Sequence, residues 1–381
     1  MSFFYRISVV ILAAINPVSM DLLAPAIPYL QQSLPALNGQ VFFSTYLSGL
    51  AVGQLIGAFL LNGRKNVLFA LLFCMIFCVA SLFAGSSSSL QSFLISRFVT
   101  GFSAGIIYLF CMLLVANSEN EEEIAESYRL RNQTLLYVAT LIPFLSAAVI
   151  TLASFTLLLK LQLVYGVACF LLMTGFIRKP LKDRGITRKQ EALTRTNLIC
   201  NVISMISWSS MLYFILSLIP TLFGVNTSHP EWMICAGITT SALSYRLGSL
   251  LKHRIKTAAG TALSFGLVLT FILCHYTPSM WVEFLMLGIV YFIAGVYQSR
   301  TAAKVLASNL FSSRRNTSLL TFINLLVSAL VVELARRIGV ADSLIWIGIP
   351  LVLFAISPQW RIRRYVTSGL NTSVGGEGSS N

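Results

Sequence analysis

Charge is scarce in this sequence. Asp, Glu, Lys and Arg together make up 10% of its 381 residues, and only 13 residues are acidic. A soluble globule needs about a quarter of its residues charged, so water is excluded as the main solvent. Catalytic motifs are missing as well. There is no H-E-x-x-H, no Walker loop, no G-x-S-x-G and no pair of carboxylates in a connector, so an enzyme is not expected. The three histidines, His229, His253 and His275, fall between apolar runs and are not placed to form a metal site. The seven cysteines (Cys74, Cys78, Cys111, Cys169, Cys200, Cys235 and Cys274) lie in or beside apolar runs without metal-ligand spacing. They read as small packing residues, with neither disulfides nor a metal, and no cofactor is expected.

What the sequence has in abundance is apolar length. Hydrophobic residues make up 56% of it, and mean hydropathy is +0.80. Apolar tracts cover 7–30, 41–61, 67–84, 90–115, 135–158 and 161–177, then 198–223, 233–251, 258–274, 280–296, 319–335 and 343–356. Twelve helices of about 20 residues suit a bilayer, which predicts an all-α membrane protein with about twelve spans. The first tract is long enough to span and lacks an A-x-A cleavage site, so it is expected to stay in place. A basic connector separates the two sets of six. The expected organisation is a six-helix bundle over 1–177, a cytoplasmic linker over 178–197, a second bundle over 198–357 and a disordered tail over 358–381.

The net charge of +14 does not point to nucleic acid, because the 27 Lys and Arg follow topology. With the N-terminus inside, 22 of them fall on inside connectors and tails. Three (Lys160, Arg336, Arg337) fall outside, and Arg97 and Arg246 fall within spans. This asymmetry predicts an inner-membrane protein with both termini cytoplasmic. Its medium is the lipid bilayer, and a monomer is expected.

Ionisable groups within spans mark pathways by default. Asp21 lies about 13 Å from the outer end of span one, and Arg97 about 10 Å below the same surface on span four, at 1.5 Å per residue. The two can occupy one layer. Asp21 then takes up a proton or a cationic substrate while Arg97 tunes or competes for it; the alternative is a static ion pair or a snorkelling arginine. Tyr46, Gln54, Tyr108, Asn201 and Tyr213 are polar or amphipathic groups within spans that could face a substrate. Pro25, Pro28, Pro143 and Pro220 weaken helices there. The small residues Gly101, Ser103, Ala104 and Gly105 suit close helix packing. Glu119, Glu121, Glu122, Glu123 and Glu126, with Arg129 and Arg131, read as a solvated helix face within the loop after span four.

Several segments carry a resemblance. Asp21-Leu-Leu-Ala-Pro25-Ala-Ile-Pro28 is similar to a first-span D-x-x-x-P-A-x-P signature. Thr45-Tyr46-Leu-Ser-Gly49 with Gly53-Gln54-Leu55 is similar to a second-span T-Y-x-x-G-x-x-x-G-Q-L. Arg97-Phe-Val-Thr-Gly101 resembles R-F-x-Q-G/A in span four, Pro143 stands where a fifth-span motif has its proline, and Asn316-Thr-Ser-Leu-Leu320 resembles G-T-A-S-A-L before span eleven. Together they resemble the major facilitator superfamily, and within it the Bcr/CflA-type drug:proton antiporters. The resemblance implies two six-helix bundles rocking about a central cavity, with Asp21 as the proton-responsive carboxylate and Arg97 as its partner. It also implies a gating loop after span two, at Arg64 and Lys65. That loop, Leu60-Leu-Asn62-Gly-Arg64-Lys65, lacks the family's Asp, Thr100 replaces a Gln, and the glycines around Pro143 are absent. The function expected is proton-coupled export of a small organic molecule, drug-like or siderophore-like. An importer of the same fold, or a non-transporting sensor on that scaffold, are the alternatives.

Overall fold

A computed structural model describes residues 3–61, 66–116, 121–177, 195–224, 228–252, 254–255, 280–307, 314–339, 342 and 344–349. The secondary structure of these residues is helical throughout: α1 (Phe3–Ala13), α2 (Ile15–Met20), a 3-10 turn (Ala24–Ala26), α3 (Ile27–Ser33), α4 (Gly39–Leu60), α5 (Asn66–Ser86), α6 (Leu90–Ala116), α7 (Glu121–Leu152), α8 (Phe155–Thr174), α9 (Arg195–Gly224), α10 (Pro230–Leu251), α11 (Met280–Ala307), α12 (Arg314–Ile338) and a π-turn (Leu344–Gly348). Eight of these helices are long and apolar enough to cross a membrane, or nine with the bent pair at the start of the chain. The more polar α10 carries the eighth predicted tract. The ninth tract, the larger part of the twelfth, the basic linker apart from its last residues, and the tail lie outside the described residues.

Proline chemistry shapes the first span. It bends by 41° between Phe3–Ala13 and Ile15–Ser33. Pro17 has no N–H to donate to the carbonyl of Ala13, where α1 ends, and Pro25 leaves the carbonyl of Asp21 without a helical donor. Residues 21–23 form an irregular turn between α2 and the 3-10 turn. A hydroxyl from Tyr165 of α8 meets the carbonyl of Ile11 in the last turn of α1. Pro143 and Pro220, by contrast, are accommodated inside continuous helices.

The tightest packing is between α4 and α6. A Cβ added at Gly49 or Gly53 would strike the carbonyl oxygen of Phe98 or Phe102, and one at Gly101 would strike that of Tyr46. Backbones this close leave room for hydrogen only, so the packing reading of the small residues in span four is the one the geometry gives. Gly248 of α10 and Gly295 of α11 repeat the arrangement in the second half, against the carbonyls of Phe292 and Tyr245. Further contacts pack α5 on α6 and α8, and α9 on α11 and α12. Across the two halves, α4 meets α9 and α12, and α7 meets α10.

Outward faces are apolar. On α5, Leu68, Leu72, Met75, Val79, Leu82 and Phe83 are exposed in a stripe of helical period. Such a stripe has no counterpart on a soluble protein, and hydrocarbon is its natural surroundings.

Two boundaries differ from the sequence reading. The charged segment beside Arg129 and Arg131 is not a loop: α7 begins at Glu121 and runs without interruption into the apolar span. The turn that follows comes at residues 153–154, so Lys160 lies within α8. Ser154 adopts extended backbone there (φ −168°, ψ 160°), inside an apolar run with neither Gly nor Pro to mark it.

Candidate functional site: a buried carboxyl beside an aromatic chain

Asp21 caps α2 at a second interruption of the first span, the irregular turn over residues 21–23, its N–H donating to the carbonyl of Pro17 at 2.8 Å. The side chain is buried, and its Oδ1 has no hydrogen-bond partner. Arg97, on α6, is 1% exposed, so it does not snorkel. Its Nη2 donates to the carbonyl of Ser19 at 2.9 Å, in the last turn of α2, where carbonyls lack helical donors. The guanidinium lies 4.4 Å from the ring centroid of Phe42 and 4.9 Å from that of Tyr46. Each ring face offers a cation a favourable quadrupole. Arg97 therefore reaches the backbone two residues from Asp21, yet no ion pair joins the two among the described residues. The static ion pair considered from sequence is not what this arrangement contains.

Tyrosines surround the carboxyl. Tyr46 of α4, Tyr213 of α9 and Tyr291 of α11 stand close enough to Asp21 to feel its charge. Tyr108 of α6 and Tyr245 of α10 lie in the wider neighbourhood of Tyr213, with no hydrogen bond or ring stacking between them among the described residues. The Tyr46 hydroxyl points to Oδ1 of Asn16 at 3.5 Å, and that of Tyr291 donates to the carbonyl of Leu212 at 2.7 Å. Five helices thus contribute one tyrosine each to the region around Asp21 and Tyr213. Such a lining offers apolar faces for flat molecules and hydroxyls for polar ones.

Of the residues singled out from sequence, Asp21, Tyr46 and Tyr213 share one region with Arg97, whereas Tyr108 lies about 16 Å further along α6 from Arg97 at 1.5 Å per residue. Gln54 is buried two turns further along α4. Asn201 does not join them: its Nδ2 donates to Asn197 of its own helix at 2.7 Å, and it lies about 18 Å along α9 from Tyr213 at 1.5 Å per residue. Arg64 and Lys65 lie outside the described residues. Sequence reasoning missed Tyr245 and Tyr291, which no motif marks, and two charged groups near the ends of the bundle.

The first of those groups is Glu231, in the first turn of α10 and almost fully buried. Its Oε2 accepts from the hydroxyl of Tyr29 on α3 at 2.6 Å. Its Oε1 lies 3.4 Å from Oγ1 of Thr151 on α7 and 3.5 Å from Nδ1 of His229. One second-half carboxylate thus ties two first-half helices. Nearby, Oγ1 of Thr239 on α10 donates to the carbonyl of Thr140 on α7 at 3.4 Å, and Gly39 of α4 abuts the carbonyl of Ser217 on α9. This end of the bundle, away from the start of α1, is closed by contacts between the halves.

The second missed group is Arg131 on α7. Its Nη2 donates to the hydroxyl of Tyr108 at 2.8 Å.

The sequence profile of the Major Facilitator Superfamily matches residues 9–335. The chain belongs to this superfamily. Two solved major facilitator-like folds cover nearly all of it. A peptide transporter crystallised with sulfate superposes with a TM-score of 0.71 at 12% identity, covering 96% of both chains. A D-xylose–proton symporter superposes with a TM-score of 0.67 at 11% identity, covering 94% of this chain and 97% of that one. Multidrug resistance protein MdtL of Shewanella sp. (strain ANA-3) is 24% identical over 188 residues, 47% of each chain. The match thus spans about half the length of that relative. As a major facilitator protein, the chain is a multi-pass membrane protein with the all-α fold expected from its tracts.

Proposed function

We propose that the protein is a proton-coupled exporter of small organic molecules, working by alternating access in a bacterial inner membrane with both termini cytoplasmic. The observation that carries this reading is the buried, partnerless Oδ1 of Asp21 at the irregular turn in the first span. A carboxylate without a counter-ion in a membrane interior bears a large desolvation cost, and a bound proton removes it. Arg97 is held on the Ser19 carbonyl and two ring faces, so it leaves the carboxyl free to exchange that proton. The irregular turn at 21–23, beside a carbonyl that Pro25 leaves without a helical donor, gives the carboxyl a place to move.

The tyrosines supply the substrate chamber, with Tyr46, Tyr108 and Tyr213 offering rings to a flat amphipathic compound. The contacts around Glu231 close the outer end in this state. The partial similarity to a multidrug resistance protein favours a drug-like or metabolite-like cargo and efflux as its direction. The basic connectors favour the orientation with both termini on the cytoplasmic side.

Inverted membrane vesicles test the reading. A panel of amphipathic compounds should accumulate when an inward-acidic proton gradient is imposed, and Asp21→Asn should reduce that accumulation to background. Absence of gradient-dependent flux for every compound would favour a non-transporting role. Flux from the lumen outward would favour an importer, and an Asp21→Asn variant that transports normally would remove Asp21 from the coupling.

A further inference from the structure

Arg131 sits in the third turn of α7 and turns toward α6. Besides the bond from Nη2 to Tyr108, its Nη1 meets only the thioether of Met112 at 3.0 Å, a weak acceptor. The guanidinium lies 5.5 Å from the ring centroid of Tyr108 and 5.9 Å from that of Tyr128. Its Nε is buried without a partner. No carboxylate pairs with it among the described residues, and Glu126, little more than one turn earlier on α7, is taken by Arg6 at 2.9 Å. A guanidinium keeps its charge at any physiological pH. A full positive charge therefore stands here among neutral neighbours.

Position gives this charge its meaning. Tyr108 holds Arg131 on the face of α6, the helix that also carries Arg97 nearer the other end of the bundle. The Tyr108 hydroxyl accepts from Arg131, which leaves its own proton for a third group. Arg131 Nε–H and Tyr108 O–H are then two donors beside one charge, the combination that recognises an oxyanion. We infer that Arg131 and Tyr108 form an anion-binding subsite of the chamber, and that the cargo is an amphipathic aromatic molecule carrying a carboxylate or sulfonate. Its acid group docks at Arg131 while its rings lie against Tyr108 and Tyr213. The inference rests on reading that chamber as the cargo site.

A matched pair of probes tests it: 2-naphthoate and the neutral 2-naphthamide, titrated calorimetrically into the purified full-length protein in uncharged detergent. The acid should bind about tenfold more tightly than the amide, as expected of a charge-assisted hydrogen bond. Arg131→Gln should abolish the preference, Arg131→Lys should keep part of it, and Tyr108→Phe should reduce it. If Arg131→Gln is not recovered as monodisperse protein, the other two variants carry the test. Equal binding of the two probes, an unaltered preference in Arg131→Gln or in Tyr108→Phe, or no binding of 2-naphthoate up to about 10 mM overturns the subsite. No gradient enters this measurement. Absence of proton-driven flux in the unaltered protein, or flux undiminished in Asp21→Asn, with the preference intact would sink the coupling at Asp21 and leave the subsite standing, and the converse holds equally.

Discussion

Arg97 and Arg131 stand on adjacent helices, each over two aromatic rings, and neither has a carboxylate in ion-pair reach among the described residues. They differ in what holds them. Arg97 is tied to a backbone carbonyl, walled by Phe42 and Tyr46, and sealed where the backbones of α4 and α6 touch. Arg131 is partly exposed, and its acceptors are a hydroxyl and a sulfur on mobile side chains. A cation fixed to backbone in a sealed seam acts as frame, because nothing around it can exchange. A cation held by side-chain groups keeps donors to offer. The same residue type thus serves architecture in one helix and recognition in the next.

That contrast can be broken by substitution. The largest effect is expected from Gly101→Val, one turn beyond Arg97, whose side chain would drive into the Tyr46 carbonyl and push the Arg97 wall apart. Monodisperse protein should be lost on size-exclusion chromatography. Next comes Arg97→Ala, which should lower stability by about 3 kcal/mol through the cavity and the orphaned Ser19 carbonyl. Arg131→Ala should cost less than about 1 kcal/mol, and thermal unfolding of the two purified variants makes the comparison. Equal losses would show that Arg131 is frame as well.

The most local effect concerns the closed end. Tyr29→Phe removes one hydrogen bond to the Glu231 carboxylate, worth about 1.5 kcal/mol. Amide exchange in the first turns of α10 should rise by about tenfold, with α6 unchanged. If the outer end stays equally protected, the Glu231 contacts do not hold it shut, and the state that exposes Arg131 rather than Arg97 is fixed elsewhere.

Hydropathy made most of the spans legible, since a bilayer demands length and apolarity together and little else in a sequence supplies both. Asp21 was legible for the same reason: a carboxylate inside an apolar tract is conspicuous. Arg131 and Glu231 were not. Each sits within the first turns of its helix, where charges resemble a connector, and only tertiary packing turns them inward. The start of α7 was misread because lipid contact, which hydropathy measures, begins later than the helix does. Tyr245 and Tyr291 could not be told from interfacial tyrosines, because which face of a helix meets the chamber is decided by its neighbours. The break in the first span was half visible, in Pro25 and Pro28; Pro17, which ends α1, looked like any proline near a chain start.

The glycine contacts between α4 and α6 bear on how this protein can change. Gly49, Gly53 and Gly101 admit no larger side chain without displacing a backbone, so that seam is closed to gradual substitution. Drift toward a new cargo must run through the rings contributed by α9, α10 and α11, and through the Tyr108–Arg131 pair, where one exchange alters recognition and leaves the frame alone. The chain thereby separates a conserved-by-geometry half of its chamber from an adjustable half, and a selection experiment for altered cargo should collect its mutations on the adjustable side.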